Sequence, residues 1–339
     1  MADEPLLEVR DLAVDYLAGK SAVRAVDGVS LQVQPGEFLG IVGESGCGKS
    51  TLLFAIGRLL GDLAEISQGS VLFKGHNLVH LRERQLRHLR WRDFSVVMQS
   101  AMNALNPVMT IEAQLLDAIH SHSKSAKRDA HKRAAEVLRL VGIDPLHLKS
   151  YPHQLSGGMR QRAMIAMAIA NDPALLIADE PTTALDVTLQ AHLLDVLERI
   201  RDRTGSSILL ITHDLGVVAG IAERVAVMYA GRRVEEAPVD DLFAEPRHPY
   251  TLGLLASLPR LDRPARDGVL FRIPGQPPSL VHRPDGCAFH PRCAFRVLPV
   301  PCATEVPADV TISAAHRSAC HRVADLEGVT PDALRAREP

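Results

Sequence analysis

The sequence lacks a long apolar run. No window of its 339 residues approaches the roughly 18 unbroken apolar residues that a membrane-spanning helix needs. The longest runs, such as AMIAMAIA, are typical of a buried helix. The first ten residues, MADEPLLEVR, are acidic and have no apolar signal core, so we expect no export. These absences predict a chain that stays in the cytosol.

The sequence also lacks an excess of charge of either sign. Lysine and arginine total 38 and aspartate and glutamate total 40, which gives a formal net charge of −2. No surface for a polyanion such as nucleic acid is therefore indicated. Its 46% hydrophobic and 23% charged residues are typical of a soluble globular protein. The length exceeds that of one small core and predicts one large domain with a smaller one.

Cysteine is scarce and unevenly placed. Four of the five cysteines lie close together near the end of the sequence: Cys287, Cys293, Cys302 and Cys320. The first spacing, C-x5-C, is too long for a zinc knuckle of the C-x2–4-C type. Four thiolates in a reducing compartment suit a 4Fe–4S cluster or zinc, and plain thiols or disulfides are the third alternative. Three histidines nearby are expected to be surface residues: His290, His316 and His321.

The order of sequence patterns indicates an α/β fold. LLEVRDLAVDYL and AVDGVSLQVQPGEFLGIVG alternate as strands do, and the stretch from Leu81 to Ala170 is mainly of helical period. ALLIADEP and SSILLITHD read as buried strands around a helix at Thr188–Arg203, and RVAVMYAGRRVEEA reads as a hairpin. Proline becomes dense beyond Pro246, which predicts a boundary between residues 235 and 265.

A phosphate-binding loop follows the strand that ends before Gly43. The segment GESGCGKS fits G-x-x-x-x-G-K-S and opens a helix, the context that distinguishes it from a chance glycine-rich turn. Its backbone N–H groups and the helix N-terminus suit phosphate oxygens, Lys49 adds a positive charge, and the Ser50 hydroxyl suits Mg²⁺. The predicted ATP-binding residues of the loop are Gly43, Glu44, Ser45, Gly46, Cys47, Gly48, Lys49, Ser50 and Thr51.

Two further motifs complete a nucleotide site. LLIADE brings Asp179 toward Mg²⁺ and Glu180 toward an attacking water. LSGGMRQR, from Leu155 to Arg162, looks like a second phosphate site at a helix start. Since the first loop already holds one nucleotide, we predict that this segment serves a nucleotide bound to another subunit.

Six motifs in this order resemble the nucleotide-binding subunit of an ABC transporter: Gly43–Ser50, Gln99, LSGG at 155–158, LLIADEP at 175–181, ALD at 184–186 and His213. The resemblance implies a P-loop ABC ATPase with a RecA-like mixed sheet core, an antiparallel β subdomain and a helical subdomain at about 85–170. It also implies that residues 1–250 form this domain and that residues 251–339 form a small extension holding the four cysteines, with a 4Fe–4S cluster.

The resemblance assigns the nucleotide contacts. Tyr16 would stack on adenine, with a packed strand aromatic as the alternative. Ser156, Gly157 and Gly158 would bind the γ-phosphate of the partner's ATP, and Asp186 would lie at the dimer interface.

It also assigns the catalytic groups. Glu180, His213, Gln99 and Lys49 would act on the γ-phosphate and the water, and Ser50, Gln99 and Asp179 would hold Mg²⁺. For His213 the alternative is a strand-end histidine bonded to the next residue, Asp214. Two segments depart from the family pattern without touching a catalytic group: Met159 directly after LSGG, and SA at residues 100–101. Cys47 occupies a variable position of the loop, and we interpret it as a small spacer.

The flanking segments indicate the cargo. MNALNPVMT after Gln99, PRHPYTLGLLASLP at 246–259 and IPGQPPSLVHRPDGCAFHPRC at 273–293 resemble the peptide- and nickel-importer ATPases. We therefore expect a peripheral ATPase at the cytoplasmic face of the cell membrane that powers oligopeptide or dipeptide import.

The resemblance also implies partner proteins, and two alternative functions stand beside peptide import. The expected partners are a second ABC ATPase in a heterodimer, two transmembrane permease subunits and an extracytoplasmic peptide-binding protein, with no nucleic acid. The alternatives are a nickel or metal-complex importer and a soluble ABC ATPase of DNA repair or translation. The soluble enzymes usually carry two cassettes or long coiled coils, and this chain has neither.

Overall fold

The computed structural model describes residues 4–18, 21–99, 104–122, 127–183, 186–259 and 271–335. The strands are β1 Leu7–Ala18, β2 Ser21–Val33, β3 Phe38–Val42, β4 Ala64–Phe73, β5 His76–Asn77, β6 Phe94–Val97, β7 Leu175–Asp179, β8 Ser207–Thr212, β9 Arg224–Tyr229, β10 Arg232–Pro238, β11 Val310–Thr311 and β12 Arg317–Ser318. The helices are α1 Lys49–Ile56, α2 Glu83–Leu89, α3 Ile111–His120, α4 Lys127–Leu140, α5 Gly157–Ala168, α6 Val187–Thr204, α7 Leu215–Ala219, α8 Val239–Ala244, α9 Pro249–Ala256 and α10 Pro331–Arg335.

Two sheets organise these elements. The larger has the order β11-β12-β10-β9-β3-β8-β7-β6, and the smaller is antiparallel with the order β2-β1-β4-β5. In the larger sheet β6, β7, β8, β3 and β9 run parallel. β10 pairs antiparallel with β9, and β12 pairs antiparallel with β10. The mixed core sheet and the antiparallel β subdomain are therefore confirmed.

The central strands position the site. Every residue of β3, β7 and β8 is buried, as expected of a parallel sheet covered on both faces. Because β3 and β7 both run parallel to β8, the carboxyl ends of the three strands meet at one edge. The loop after β3, the acidic pair at the end of β7 and the histidine after β8 are brought together at that edge.

The helical stretch contains one strand that the sequence did not indicate. β6 lies inside the region predicted to be helical and pairs in parallel with β7. The sequence did not indicate it because four residues are too few for a reliable alternating pattern. Beyond it, α3, α4 and α5 share a core through residues such as Leu115, Val137 and Ile165. Within the described ranges, no helix combines the length and apolarity that crossing a bilayer requires.

The C-terminal extension is built into the cassette. β12 pairs with β10, so the extension continues the edge of the main sheet. Phe289 packs edge-on against Tyr229 at a centroid distance of 5.2 Å and against Tyr250 at 5.4 Å. The main sheet and the apolar core thus continue on both sides of residue 250, and the division into domains at that residue stays a prediction.

The expectation for His316 was wrong. Its ring is only 4% exposed, and Nε2 lies 2.9 Å from Oε1 of the fully buried Glu235. His316 directly precedes β12, and the pairing of β12 with β10 carries its ring onto the Glu235 carboxylate. Sequence spacing within the tail contained no sign of this contact, because β10 lies about 80 residues earlier.

Candidate active site

The phosphate-binding loop owes its shape to glycines that no other residue could replace without strain. Gly48 has φ 102° and begins α1, and a Cβ there would come within 2.3 Å of the Ala25 carbonyl oxygen. A Cβ on Gly43 would come within 2.2 Å of the Met228 carbonyl oxygen. The loop therefore lies directly against neighbouring backbone, with the start of α1 oriented for phosphate oxygens.

Lys49 lies inside the loop. Its side chain is buried, and Nζ donates to the carbonyl oxygens of Gly43 at 2.6 Å and Glu44 at 2.9 Å. Nζ is also 3.8 Å from Sγ of Cys47. Burial raises the pKa of the Cys47 thiol despite the nearby lysine, which agrees with a small packing residue rather than a reactive thiolate.

Ser50 and Asp179 form a pair of oxygen donors where β7 ends and α1 begins. The Ser50 hydroxyl donates to Oδ1 of Asp179 at 3.1 Å. Burial raises the pKa of Asp179, and the hydrogen bond from Ser50 acts in the opposite direction. A hydroxyl beside a carboxylate is the hard-oxygen donor set that Mg²⁺ prefers, so these residues fit that ion.

Glu180 is the centre of a polar network just beyond β7. Its carboxylate accepts from Gln99 Nε2 at 2.9 Å and from the Thr183 hydroxyl at 2.9 Å, and Oε1 lies 3.3 Å from Nδ1 of His213. Its own φ is 45°, in the left-handed region. Such strain is maintained when the surroundings fix the side chain, and here three partners do so. The neighbour that His213 contacts is thus Glu180, the predicted catalytic residue.

A cavity of about 550 Å³ lies over this edge of the sheet. Lys49, Ser50, Gln99 and Glu180 line one part of it, and Tyr16 lines another. The Tyr16 ring is 36% exposed and its hydroxyl is 3.3 Å from Thr51 Oγ1, so the side chain borders the cavity rather than packing inside the smaller sheet.

The predicted phosphate-binding residues of the LSGG segment, and Asp186, lie away from this cavity. Ser156 caps α5 by accepting from the Met159 N–H at 3.3 Å, and Gly157 and Gly158 form the first turn of that helix. Asp186 caps α6 through the Leu189 N–H at 2.9 Å. None of these four residues lines the cavity. The rest of the ALD motif, residues 184–185, and the SA pair at 100–101 fall outside the described residues.

Residues 26–183 match the family described as ABC transporter, and residues 234–298 match the oligopeptide/dipeptide transporter C-terminal region. A probable peptide ABC transporter ATP-binding protein of Sinorhizobium fredii, y4tR, is 49% identical over 94% of this chain and 95% of its own length. This chain belongs to the ABC transporter ATP-binding family. The predicted fold class and the predicted ATPase activity of this ABC ATPase are therefore confirmed.

Further relatives support the same family. The dipeptide transport ATP-binding protein DppD of Bacillus subtilis is 47% identical over 94% of each chain. The oligopeptide transport ATP-binding protein OppD of Mycobacterium tuberculosis is 49% identical to this chain, and the match covers 53% of the length of OppD. The solved dimer of the ATP-binding cassette MJ0796 bound to ADP and Pi has a TM-score of 0.62 and 29% identity, covering 69% of this chain and 98% of the cassette.

The four clustered cysteines of the ABC ATPase are buried or half-buried, and all are free thiols. Burial, together with a smaller effect of the other thiols of the cluster, raises the pKa of Cys293 and of Cys320 to about 12. Within the described ranges, however, no three His, Cys, Asp or Glu side chains are arranged to hold a metal ion. The predicted metal site thus gains no support from the present side-chain positions.

The sequence missed two contributions from the extension. Leu280 lines the cavity together with Tyr16, and Arg292 binds the Glu44 carboxylate within the phosphate-binding loop. Both come from the proline-rich tail, more than 200 residues beyond the loop. No pattern in a single sequence pairs such distant segments.

Proposed function

We propose that this ABC ATPase converts ATP and water to ADP and phosphate to power the import of oligopeptides or dipeptides. The observation that carries the choice of cargo is the match of residues 234–298 to the oligopeptide/dipeptide transporter C-terminal region. The relatives named for peptide transport match nearly the whole chain, which adds support. The ATP-binding cassette alone indicates ATP hydrolysis and does not identify the transported substrate.

The site geometry supports a division of labour in hydrolysis. Glu180 accepts a proton from, or orients, the attacking water, while Gln99, Thr183 and His213 hold its carboxylate in one orientation. Lys49 stabilises the negative charge that develops on the phosphate oxygens. Mg²⁺ held by Ser50 and Asp179, with Gln99 as a further ligand, would supply additional positive charge there.

A complete site requires a second cassette. Ser156, Gly157 and Gly158 start a helix whose N-terminus suits a phosphate, yet they do not line the cavity of their own chain. We propose that they bind the γ-phosphate held by a related ATPase subunit in a heterodimer, with Asp186 at the interface. Two transmembrane permease subunits and an extracytoplasmic peptide-binding protein would complete the importer, with this chain peripheral on the cytoplasmic face.

Loss of the chain should abolish uptake of labelled oligopeptides in the cell that encodes it. Wild-type chain should restore uptake, whereas Lys49→Ala should not, because Nζ is the buried cation of the phosphate-binding loop. Uptake of radioactive nickel, measured in parallel, is the control and should not change. Normal peptide uptake with lost nickel uptake would instead assign the metal-complex alternative.

We further propose that the four clustered cysteines bind a 4Fe–4S cluster, with zinc as the alternative. The supporting observations are their shared burial and the backbone N–H groups aimed at three sulfurs. Phe295 donates to Cys293 Sγ at 3.3 Å, Val297 to Cys302 Sγ at 3.4 Å and Arg322 to Cys320 Sγ at 3.3 Å. Hydrogen bonds to sulfur are a recurrent feature of cluster ligation. A bound cluster or zinc ion would staple the proline-rich extension.

Anaerobic purification should yield about four iron and about four sulfide per chain, because four thiolates complete the ligand set of one cluster. Cys293→Ser should lose most of this iron, whereas Cys47→Ser, which changes the cysteine outside the cluster, should retain it. Stoichiometric zinc in place of iron would establish the alternative. A fully metal-free chain from anaerobic cells would rule out both.

A further inference from the structure

A partly buried ion pair joins the phosphate-binding loop to the C-terminal extension. Arg292 donates from Nη1 to Oε2 of Glu44 at 2.6 Å and from Nη2 to Oε1 at 3.0 Å. Arg292 is only 9% exposed and the Glu44 side chain is 26% exposed, so this two-pronged contact is partly shielded from water. A planar guanidinium bound to both carboxylate oxygens fixes orientation as well as distance, which an ammonium group cannot do.

Arg292 is itself held in place by the extension and the core. Its Nε donates to the Pro274 carbonyl oxygen at 2.9 Å, and Nη1 is 3.4 Å from the Tyr229 hydroxyl. The guanidinium lies 5.9 Å from the centroid of the Tyr229 ring and 6.0 Å from that of Phe289. The cation therefore presents a fixed, rather than a mobile, partner to Glu44.

Glu44 transmits this constraint to the catalytic lysine. Its carboxylate binds Arg292, its N–H donates to the buried Tyr250 hydroxyl at 2.8 Å, and its carbonyl oxygen accepts from Lys49 Nζ at 2.9 Å. Tyr250 lies in α9, the helix that leads into the extension. Because Lys49 Nζ donates a hydrogen bond to the Glu44 carbonyl oxygen, a shift of the Glu44 backbone would also move a hydrogen-bond acceptor of Lys49.

We propose that Arg292 is a positioning residue for ATP binding and hydrolysis. Through Glu44 it holds the phosphate-binding loop, and with it Lys49, in the conformation that receives the ATP phosphates. The extension is then a working part of the nucleotide site, in addition to any role in selecting cargo.

Arg292→Gln and Glu44→Gln in the full-length chain should each weaken Mg-ATP binding by about tenfold or more, since small misplacements of phosphate-binding groups are costly. The double variant should bind Mg-ATP no more weakly than the single variant with the lower affinity, because both substitutions remove the same contact between Arg292 and Glu44. Arg292→Lys, which keeps the charge but loses the fork, should recover part of the affinity. Calorimetric titration with Mg-ATP measures all four variants.

Arg283→Gln is the matched control. Arg283 also joins the extension to the cassette by a largely buried ion pair, from Nη1 to Asp27 Oδ2 at 2.5 Å, and its Nη2 donates to the Arg24 carbonyl oxygen. The Arg283→Gln variant should lower the midpoint of thermal unfolding about as much as Arg292→Gln does. Its ATP affinity should stay within about twofold of wild type, because Asp27 lies outside the phosphate-binding loop.

Three outcomes would overturn the assignment. The first is wild-type ATP affinity in Arg292→Gln or in Glu44→Gln. The second is an equal loss of affinity in Arg283→Gln, and the third is additive losses in the double variant; either of these would reduce Arg292 to a general structural role. If Arg292→Gln does not fold, Glu44→Gln decides by the same criterion, since its side chain is 26% exposed and the substitution keeps its shape.

Discussion

Glu180→Gln should reduce ATP turnover by about 10²–10⁴-fold while leaving Mg-ATP binding nearly unchanged, the range typical of a lost general base. The amide keeps the shape of the side chain and can still accept from Thr183, but it cannot take a proton from water. Phosphate release and Mg-ATP affinity of the same preparation measure the two effects separately.

The control for this variant is Glu223→Gln. Glu223 also pairs with a cation, Arg201, but its side chain is 56% exposed and far along the chain from the loop. Turnover should stay near wild type because a surface ion pair contributes little. If Glu180→Gln lost ATP affinity in proportion to turnover, Glu180 would be a binding group and the assignment of a water-orienting role would fail.

Glu235→Ala should cost about 3–5 kcal/mol of unfolding free energy at pH 7, the cost expected when a buried charged acceptor is removed from its partners. Glu235 is 0% exposed and accepts from the Arg247 N–H at 2.5 Å, the His248 N–H at 3.0 Å and His316 Nε2 at 2.9 Å. Its removal leaves three buried donors without an acceptor. Urea unfolding followed by circular dichroism measures the loss.

Glu245→Ala provides the comparison, because Glu245 binds the side chain of the same Arg247 from a 46% exposed position. It should change the unfolding free energy by less than about 1 kcal/mol. Equal, small losses in both variants would show that the Glu235 cluster does not tie the extension to β10.

The gathering of the predicted site residues at one edge of the sheet could be expected from local patterns. The loop from Gly43 to Ser50, the acidic pair at the end of β7 and His213 after β8 each follow a strand, and strands of this type place their carboxyl ends together. The strand β6 and the burial of His316 were not predictable. A four-residue strand and a histidine beside a hairpin have no periodic signal of their own.

Local patterns in the sequence were sufficient to identify the class of the protein and to predict a phosphate-binding loop, because glycine spacing, a following helix and an acidic strand end act over short distances. The approach of the C-terminal extension to the cavity, through Leu280 at its lining and Arg292 on Glu44, is visible only in the three-dimensional packing. Those partners are more than 200 residues apart, and such contacts depend on how buried surfaces pack rather than on any local pattern.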